Sequence, residues 1–207
     1  MNQEEIEQRL WQNLHKWSLQ KKTMNPEALR MAGVDVQQRR EKDDFYPTPP
    51  AATQALLDRE KFDGQIYECA CGDGAMSEVL IENGYDVYSS DLINRGYGET
   101  GIDFLKTEKP FDNIITNPPF KLGPDFVLHS FKLAKKKIAF FGKLNFLEGQ
   151  RRRKNIFNLK KLKKVYVFSG RVSFTKRGST KSAGGLISFA WYVFDQNYNG
   201  LPQIDWI

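Results

Sequence analysis

The chain has 207 residues, enough for one domain with a small extension, and its 40% hydrophobic content can furnish a proper core. A mean hydropathy of −0.56, 27% charged residues and no apolar run of the ~18 residues a bilayer needs exclude a membrane-spanning chain. The net charge of +6 is unevenly spread: residues 121–181 hold 18 Lys and Arg against 2 Asp and Glu, a balance of +16, and the remainder holds 13 against 23, or −10.

A basic block confined to one third of the chain points to a polyanion, because phosphate contacts are largely electrostatic. Lys135-Lys136-Lys137 alone would be an ordinary solvated face. Joined to Arg151-Arg152-Arg153-Lys154, Lys160-Lys161 and Lys163-Lys164, it favours nucleic acid. Cys69 and Cys71 are the only cysteines, and His15 and His129 the only histidines, so no metal site is expected. The acidic start Met1-Asn2-Gln3-Glu4-Glu5 does not read as a secretory signal, and so few thiols fit a reduced, cytoplasmic protein.

Residues 4–20 predict a helix, with Ile6, Leu10, Leu14 and Trp17 on one face. A short second helix opens at Asn25-Pro26 and stops at Gly33, and the polar stretch 34–44 reads as a linker. Residues 1–44 are thus expected to form a helical arm, free to pack on the core or to bind a partner chain or second copy. Residues 45–207 are expected to form the main domain. There Thr48 can cap a helix with Pro49 at its first position. Strands are predicted at 65–70, 85–89, 112–116, 137–141, 164–168 and, last and longest, 186–194. Residues 102–105 read as short and extended, and helices are predicted at 75–83, 124–135 and 149–159. This alternation predicts an α/β domain with a parallel, doubly wound sheet.

Two stretches carry chemistry. Glu68-Cys69-Ala70-Cys71-Gly72-Asp73-Gly74 lies between a strand and its helix, where glycines let the backbone approach a ligand. Asp91 ends the next strand, 17 residues after Gly74, where a carboxylate can accept from ribose hydroxyls. Ser77 interrupts the G-x-G-x-x-G pattern, and there is no Walker lysine, so a ribose-containing cofactor without a pyrophosphate fits better than NAD, FAD or ATP.

The second stretch is Asn117-Pro118-Pro119-Phe120, just after a strand. Neither proline can continue the ladder, and each holds the residue before it extended. The result is a stiff turn with unpaired carbonyls, an amide and a ring, at the sheet edge where α/β proteins bind ligands. It suits a flat substrate bearing an NH2 group. Asn cannot remove a proton, so such a turn would act by positioning and electrostatics.

Together Glu68-x-Ala70-x-Gly72-x-Gly74 and Asn117-Pro118-Pro119-Phe120 resemble the S-adenosylmethionine-dependent amino-methyltransferases, and most of all the adenine-N6 DNA methyltransferases of phage and restriction–modification type. Tyr46-Pro47-Thr48-Pro49 resembles the aromatic-x-Thr-Pro element of that family, and the likeness runs over residues 45–194. It implies a Rossmann-like class I methyltransferase sheet, mostly parallel with an antiparallel final strand and helices on both faces. It implies that Tyr46 and Thr48 line the methionine end of S-adenosylmethionine. Glu68, Ala70, Gly72 and Gly74 would wrap the cofactor, Asp91 hold its ribose, and Asp103 and Phe104 its adenine. It also implies that Asn117 and the Pro118 carbonyl accept from the target amine, with Pro119 stiffening the turn and Phe120 stacking on a flipped base. The stretch Phe168-x-x-Arg171-x-x-Phe174 is similar to phage members too.

The basic block then has a partner, DNA, with RNA as the close variant. Lys143, Asn145, Arg151, Arg152, Arg153 and Arg171 are its expected contacts, with Lys176, Arg177 and Lys181 in the Gly/Ser-rich loop 175–185. No insertion exceeds a loop, which predicts short or relaxed site specificity. The Asn-Pro-Pro-aromatic turn also occurs in enzymes that methylate RNA bases or protein glutamine, and the basic block argues against a protein substrate. A non-catalytic nucleic-acid-binding subunit would have no need of the cofactor turn, Asp91 and Asn117 together.

Overall fold

A computed structural model describes residues 45–174 and 187–207; the predicted arm 1–44 and the loop lysines and arginine 176, 177 and 181 lie outside them. The first element is helix α1 (Pro50–Leu57), which starts one residue later than expected, with Pro50 at its first turn and Pro49 as its cap. Thr48 lies one residue before the cap and does not cap it; its hydroxyl accepts from the Asn117 amide. Strand β1 (Ile66–Glu68), helix α2 (Ala75–Glu82), strand β2 (Val87–Asp91) and the two-residue β3 (Glu99–Thr100) follow. Residues 102–105 are not extended: Asp103 accepts from the Leu105 N–H and caps a 3-10 turn, Phe104–Lys106.

Then come β4 (Phe111–Thr116), α3 (Gly123–Leu133) and β5 (Ala134–Lys143). The predicted helix 149–159 is α4 (Gln150–Asn155), broken at Ile156 and resumed as a 3-10 turn, Phe157–Leu159. Strands β6 (Leu162–Val167) and β7 (Phe189–Asp195) lead to β8 (Gln203–Trp206), an edge strand beyond the expected last one, with all four residues exposed. Among the described residues no helix is long and apolar enough to cross a membrane.

The eight strands form one sheet in the order β3-β2-β1-β4-β5-β7-β6-β8. Only β7 runs against its neighbours, pairing antiparallel with β5 from Lys137↔Asp195 to Lys143↔Phe189, and with β6. Strand β1 pairs in parallel with β2 on one side and β4 on the other. The winding therefore reverses between β1 and β4, the switch point where open α/β sheets bind ligands at the strands' carboxyl ends.

Alternation along the strands divides the core in two. Ile114 joins Tyr67, Ile138, Phe140 and Tyr192 under Phe126, Val127 and Leu133 of α3. Ile115, next in sequence, joins Ile66, Ala139, Phe141 and Trp191 under Leu56 and Leu57 of α1 and Met76 and Leu80 of α2. Helices thus cover both faces. The Trp191 indole N–H donates to the Ala52 carbonyl at 2.8 Å and ties α1 to β7.

Candidate active site

The first residue beyond β4 is Asn117. Its Nδ2 donates to the Tyr46 carbonyl at 3.1 Å and to the Thr48 Oγ1 at 2.9 Å. A carbonyl can only accept, so the amide orientation is fixed with nitrogen toward the 46–48 segment. Among the described residues neither the Asn117 Oδ1 nor the Pro118 carbonyl takes a hydrogen bond, whereas the Pro119 carbonyl accepts from the Leu122 N–H at 2.8 Å. Two consecutive acceptors at the switch point thus lack a hydrogen-bond partner among the described residues, Asn117 half-buried and Pro118 buried. Phe120 follows, stacked on Tyr46 with centroids 5.7 Å apart and planes at 23°, and the Lys143 ammonium lies 4.4 Å from its ring centre.

Beside this turn is a small pocket of about 30 Å³. Tyr46, Thr48, Glu68, Ala70, Gly72 and Asn117 line it, which brings together six of the expected site residues. Phe45, Pro47, Asp73 and Met76 line it too and were not singled out from the sequence. Phe45 had a signal of its own, an aromatic directly before the expected cofactor contact Tyr46. Its ring takes the space a side chain at Gly72 would need, and the Arg95 guanidinium lies 4.1 Å from its centre. Gly72 and Gly74 hold φ of +58° and +85°, conformations that favour glycine, and Gly74 heads α2 beneath the Tyr97 ring.

Glu68 ends β1 with its carboxyl buried in this pocket. Its Oε2 accepts from the Ser77 hydroxyl, which is also bonded to the Ser89 hydroxyl at 2.7 Å. Burial pushes the Glu68 carboxyl up to about 8, against the lowering effect of the Ser77 bond and with help from the charges of Asp91 and Asp73. Burial likewise pushes the Cys71 thiol up to about 12 and raises Cys69, so neither is a nucleophile near neutral pH.

Asp91 accepts from the Gly72 N–H at 2.9 Å and, through its other oxygen, from the Ile93 N–H at 2.8 Å. It clamps the glycine turn while staying partly exposed. Asp103 caps its 3-10 turn and pairs with Lys106 at 3.0 Å. Phe104 differs from the expectation of a ring lying on the cofactor. It is 2% exposed, packed against Tyr67, Phe126 and His129, and belongs to the core.

Lys143 ends β5 and Asn145 follows it, on the same sheet edge as Asn117. The three consecutive arginines of α4 are not equivalent. Arg151 and Arg153 are exposed, whereas Arg152 turns back, its Nε donating to the Phe146 carbonyl at 2.8 Å and its Nη2 to the Asn145 carbonyl at 3.1 Å. Arg171 is exposed beyond β6.

No family model matches the chain, and no curated protein does. Among solved structures it is similar to a protein of Pyrococcus horikoshii provisionally assigned as an RNA methyltransferase. That likeness has a TM-score of 0.56 and 14% identity, and covers 77% of this chain and 88% of that one. A provisionally assigned hemolysin of Lactococcus lactis is similar at a TM-score of 0.51 and 13% identity, over 73% and 89% of the two chains. The fold is the Rossmann-like sheet of the class I methyltransferases.

Proposed function

We propose that the chain transfers a methyl group from S-adenosylmethionine to the exocyclic N6 amine of adenine in DNA. The observation that carries this is the fixed amide of Asn117, whose Oδ1, like the neighbouring Pro118 carbonyl, has no hydrogen-bond partner among the described residues. An adenine amine is a weak nucleophile because its lone pair is delocalised into the ring. Two acceptors taking its two N–H bonds draw the nitrogen toward tetrahedral geometry and localise that lone pair. Neither acceptor is a base at neutral pH, so the contribution is orientation and stabilisation of the positive charge that develops on nitrogen. The proton departs to solvent after transfer.

The pocket residues fit the cofactor. The buried Glu68 carboxyl suits its positive ammonium, Gly72 permits close approach, Asp91 is at the end of β2 for a ribose, and Met76 is apolar. When bound, S-adenosylmethionine supplies an electrophilic methyl group. A space of about 30 Å³ holds roughly one water, so entry of a cofactor displaces the Phe45 ring from Gly72. Phe120 would offset the cost of unstacking the target base, a stacked aromatic being worth about 1–3 kcal/mol.

The test is incubation with methyl-labelled cofactor and either DNA or RNA, wild type against Asn117→Ala, followed by digestion to nucleosides. N6-methyladenine from DNA, lost in Asn117→Ala, is the expected result. Label confined to RNA bases moves the activity to RNA. No transfer to either polymer leaves a nucleic-acid-binding subunit and defeats the enzyme.

A further inference from the structure

A second cleft, of about 260 Å³, is lined by Phe120 and shares no lining residue with the cofactor pocket. That volume is roughly eight waters' worth of liquid, near the lower end of small-molecule sites. Phe120 forms one wall. Phe140 and Phe146, with centroids 4.7 Å apart, supply further rings. Lys121, Lys143 and Arg152 also line it, and among the described residues no carboxylate does.

The cations are unequal. The Arg152 guanidinium is locked on the Asn145 and Phe146 carbonyls and lies 5.5 Å from the Phe146 ring centre. Two of its five N–H donors are used in that way, which leaves three on a guanidinium already held in position. The Lys143 ammonium lies over Phe120, where a stacking ring would compete with it; a cation–π contact of about 0.5–2 kcal/mol is comparable with base stacking.

We infer that this cleft binds the nucleotide unit adjoining the methyl acceptor, with Arg152 and Lys143 on its phosphate and its base against the Phe140–Phe146 wall. The inference rests on the proposed function for the word "adjoining". The nucleotide chemistry rests on the cleft alone. A lone tetrahedral anion would use the cations and leave the rings idle, and an apolar ligand would do the reverse. Only a planar ring joined to a phosphate uses both walls. On this assignment Lys143 leaves the Phe120 face as the strand arrives and moves its charge onto the backbone phosphate, so the stacking surface is exposed only when a polynucleotide is present.

The experiment titrates the full chain with adenosine 5′-monophosphate, adenosine and inorganic phosphate, and with a short single-stranded oligonucleotide at several salt concentrations. Methyl transfer is measured alongside. The monophosphate should bind about tenfold or more tighter than either adenosine or phosphate, because each lacks one half of the chemistry. Lys143→Gln should weaken oligonucleotide binding and lower the salt slope by about 0.7, the loss of one single-strand phosphate contact, whereas Arg152→Lys should weaken binding and leave the slope nearly unchanged. Lys132→Ala, in the last turn of α3, serves as the control. Arg152→Lys keeps the charge and loses the fork, so a folding defect is separated by its unfolding midpoint. Equal binding of phosphate and monophosphate reduces the cleft to an anion site and overturns the inference. Unchanged affinity and slope in Lys143→Gln overturns it too, even where methyl transfer proceeds. Loss of binding in Lys143→Gln without any methyl transfer sustains the cleft and defeats only the proposed reaction.

Discussion

The side chain of Thr48, four residues into the described chain, holds the amide of Asn117 at 2.9 Å across 69 positions of sequence. The cap position of α1 is Pro49, which has no side-chain acceptor, so the Thr48 hydroxyl, one residue earlier, serves the Asn117 turn and not the helix.

Thr48→Val keeps the shape and removes the acceptor. Methyl transfer should fall about tenfold, the scale of one lost orienting hydrogen bond, and Thr48→Ser should restore most of it. Asn117→Ala should cost about a hundredfold or more, as for an electrostatic group acting on a developing charge. Steady-state rates on an oligonucleotide separate the three. Thr48→Ser as slow as Thr48→Val would reduce the hydroxyl to a packing role.

Glu68 makes the ligand-free protein pH-sensitive. Its folded carboxyl titrates at about 8 against 4.5 for the free side chain. The neutral form is therefore favoured on folding, with full effect below 4.5, and that stabilisation is lost as pH rises through about 8. Thermal midpoints of wild type should fall relative to Glu68→Gln between about pH 5 and pH 8. A cationic cofactor prefers the ionised carboxylate, so its affinity should climb over the same interval and its binding near pH 7 should release a proton. Calorimetry in buffers of different ionisation enthalpy reads that proton directly.

The arginines of α4 should separate into two kinds. Arg152→Ala frees two carbonyls and should cost about 1–2 kcal/mol of stability. Arg151→Ala and Arg153→Ala, both exposed, should change stability by less than about 0.5 kcal/mol. On duplex DNA each should still lower the salt slope by up to about 0.9. Denaturation and binding series on the three single variants test this, and three matching profiles would refute it.

Gly74 and Gly84 have nearly the same backbone, φ +85° and +83°, in different surroundings. A methyl group at Gly74 would sit 2.4 Å from the Tyr97 ring, while nothing lies within 4 Å at Gly84. Gly84→Ala should cost about 1–2 kcal/mol, the conformational penalty alone. Gly74→Ala should cost clearly more and also weaken cofactor binding, because Gly74 ends the turn that Asp91 clamps at Gly72.

Much of this arrangement is legible in the sequence because it is enforced locally. Two prolines must end a ladder, and β4 does end at Thr116. The strand–glycine–helix pattern at 65–83 needs only near neighbours. What is hidden depends on partners far along the chain. Nothing near Phe104 says that Tyr67 and Phe126 will bury it. Arg151, Arg152 and Arg153 are identical letters, and only the carbonyls of Asn145 and Phe146 choose among them. The four exposed residues of β8 lack the alternation that marks a half-buried strand.

Strand β7 imposes an order of assembly. It is inserted between β5 and β6, and in the ladder β6 and β8 join the rest of the sheet only through it. As a ribosome delivers the chain, β1 to β5 can pair while the edge of β5 that carries Lys143 stays bare, and β6 is made before it has a partner. Bare edges of this kind template wrong pairings. The sheet beyond β5 is therefore completed only after β6 has been made, by a strand whose residues Phe189 to Phe194 are all buried.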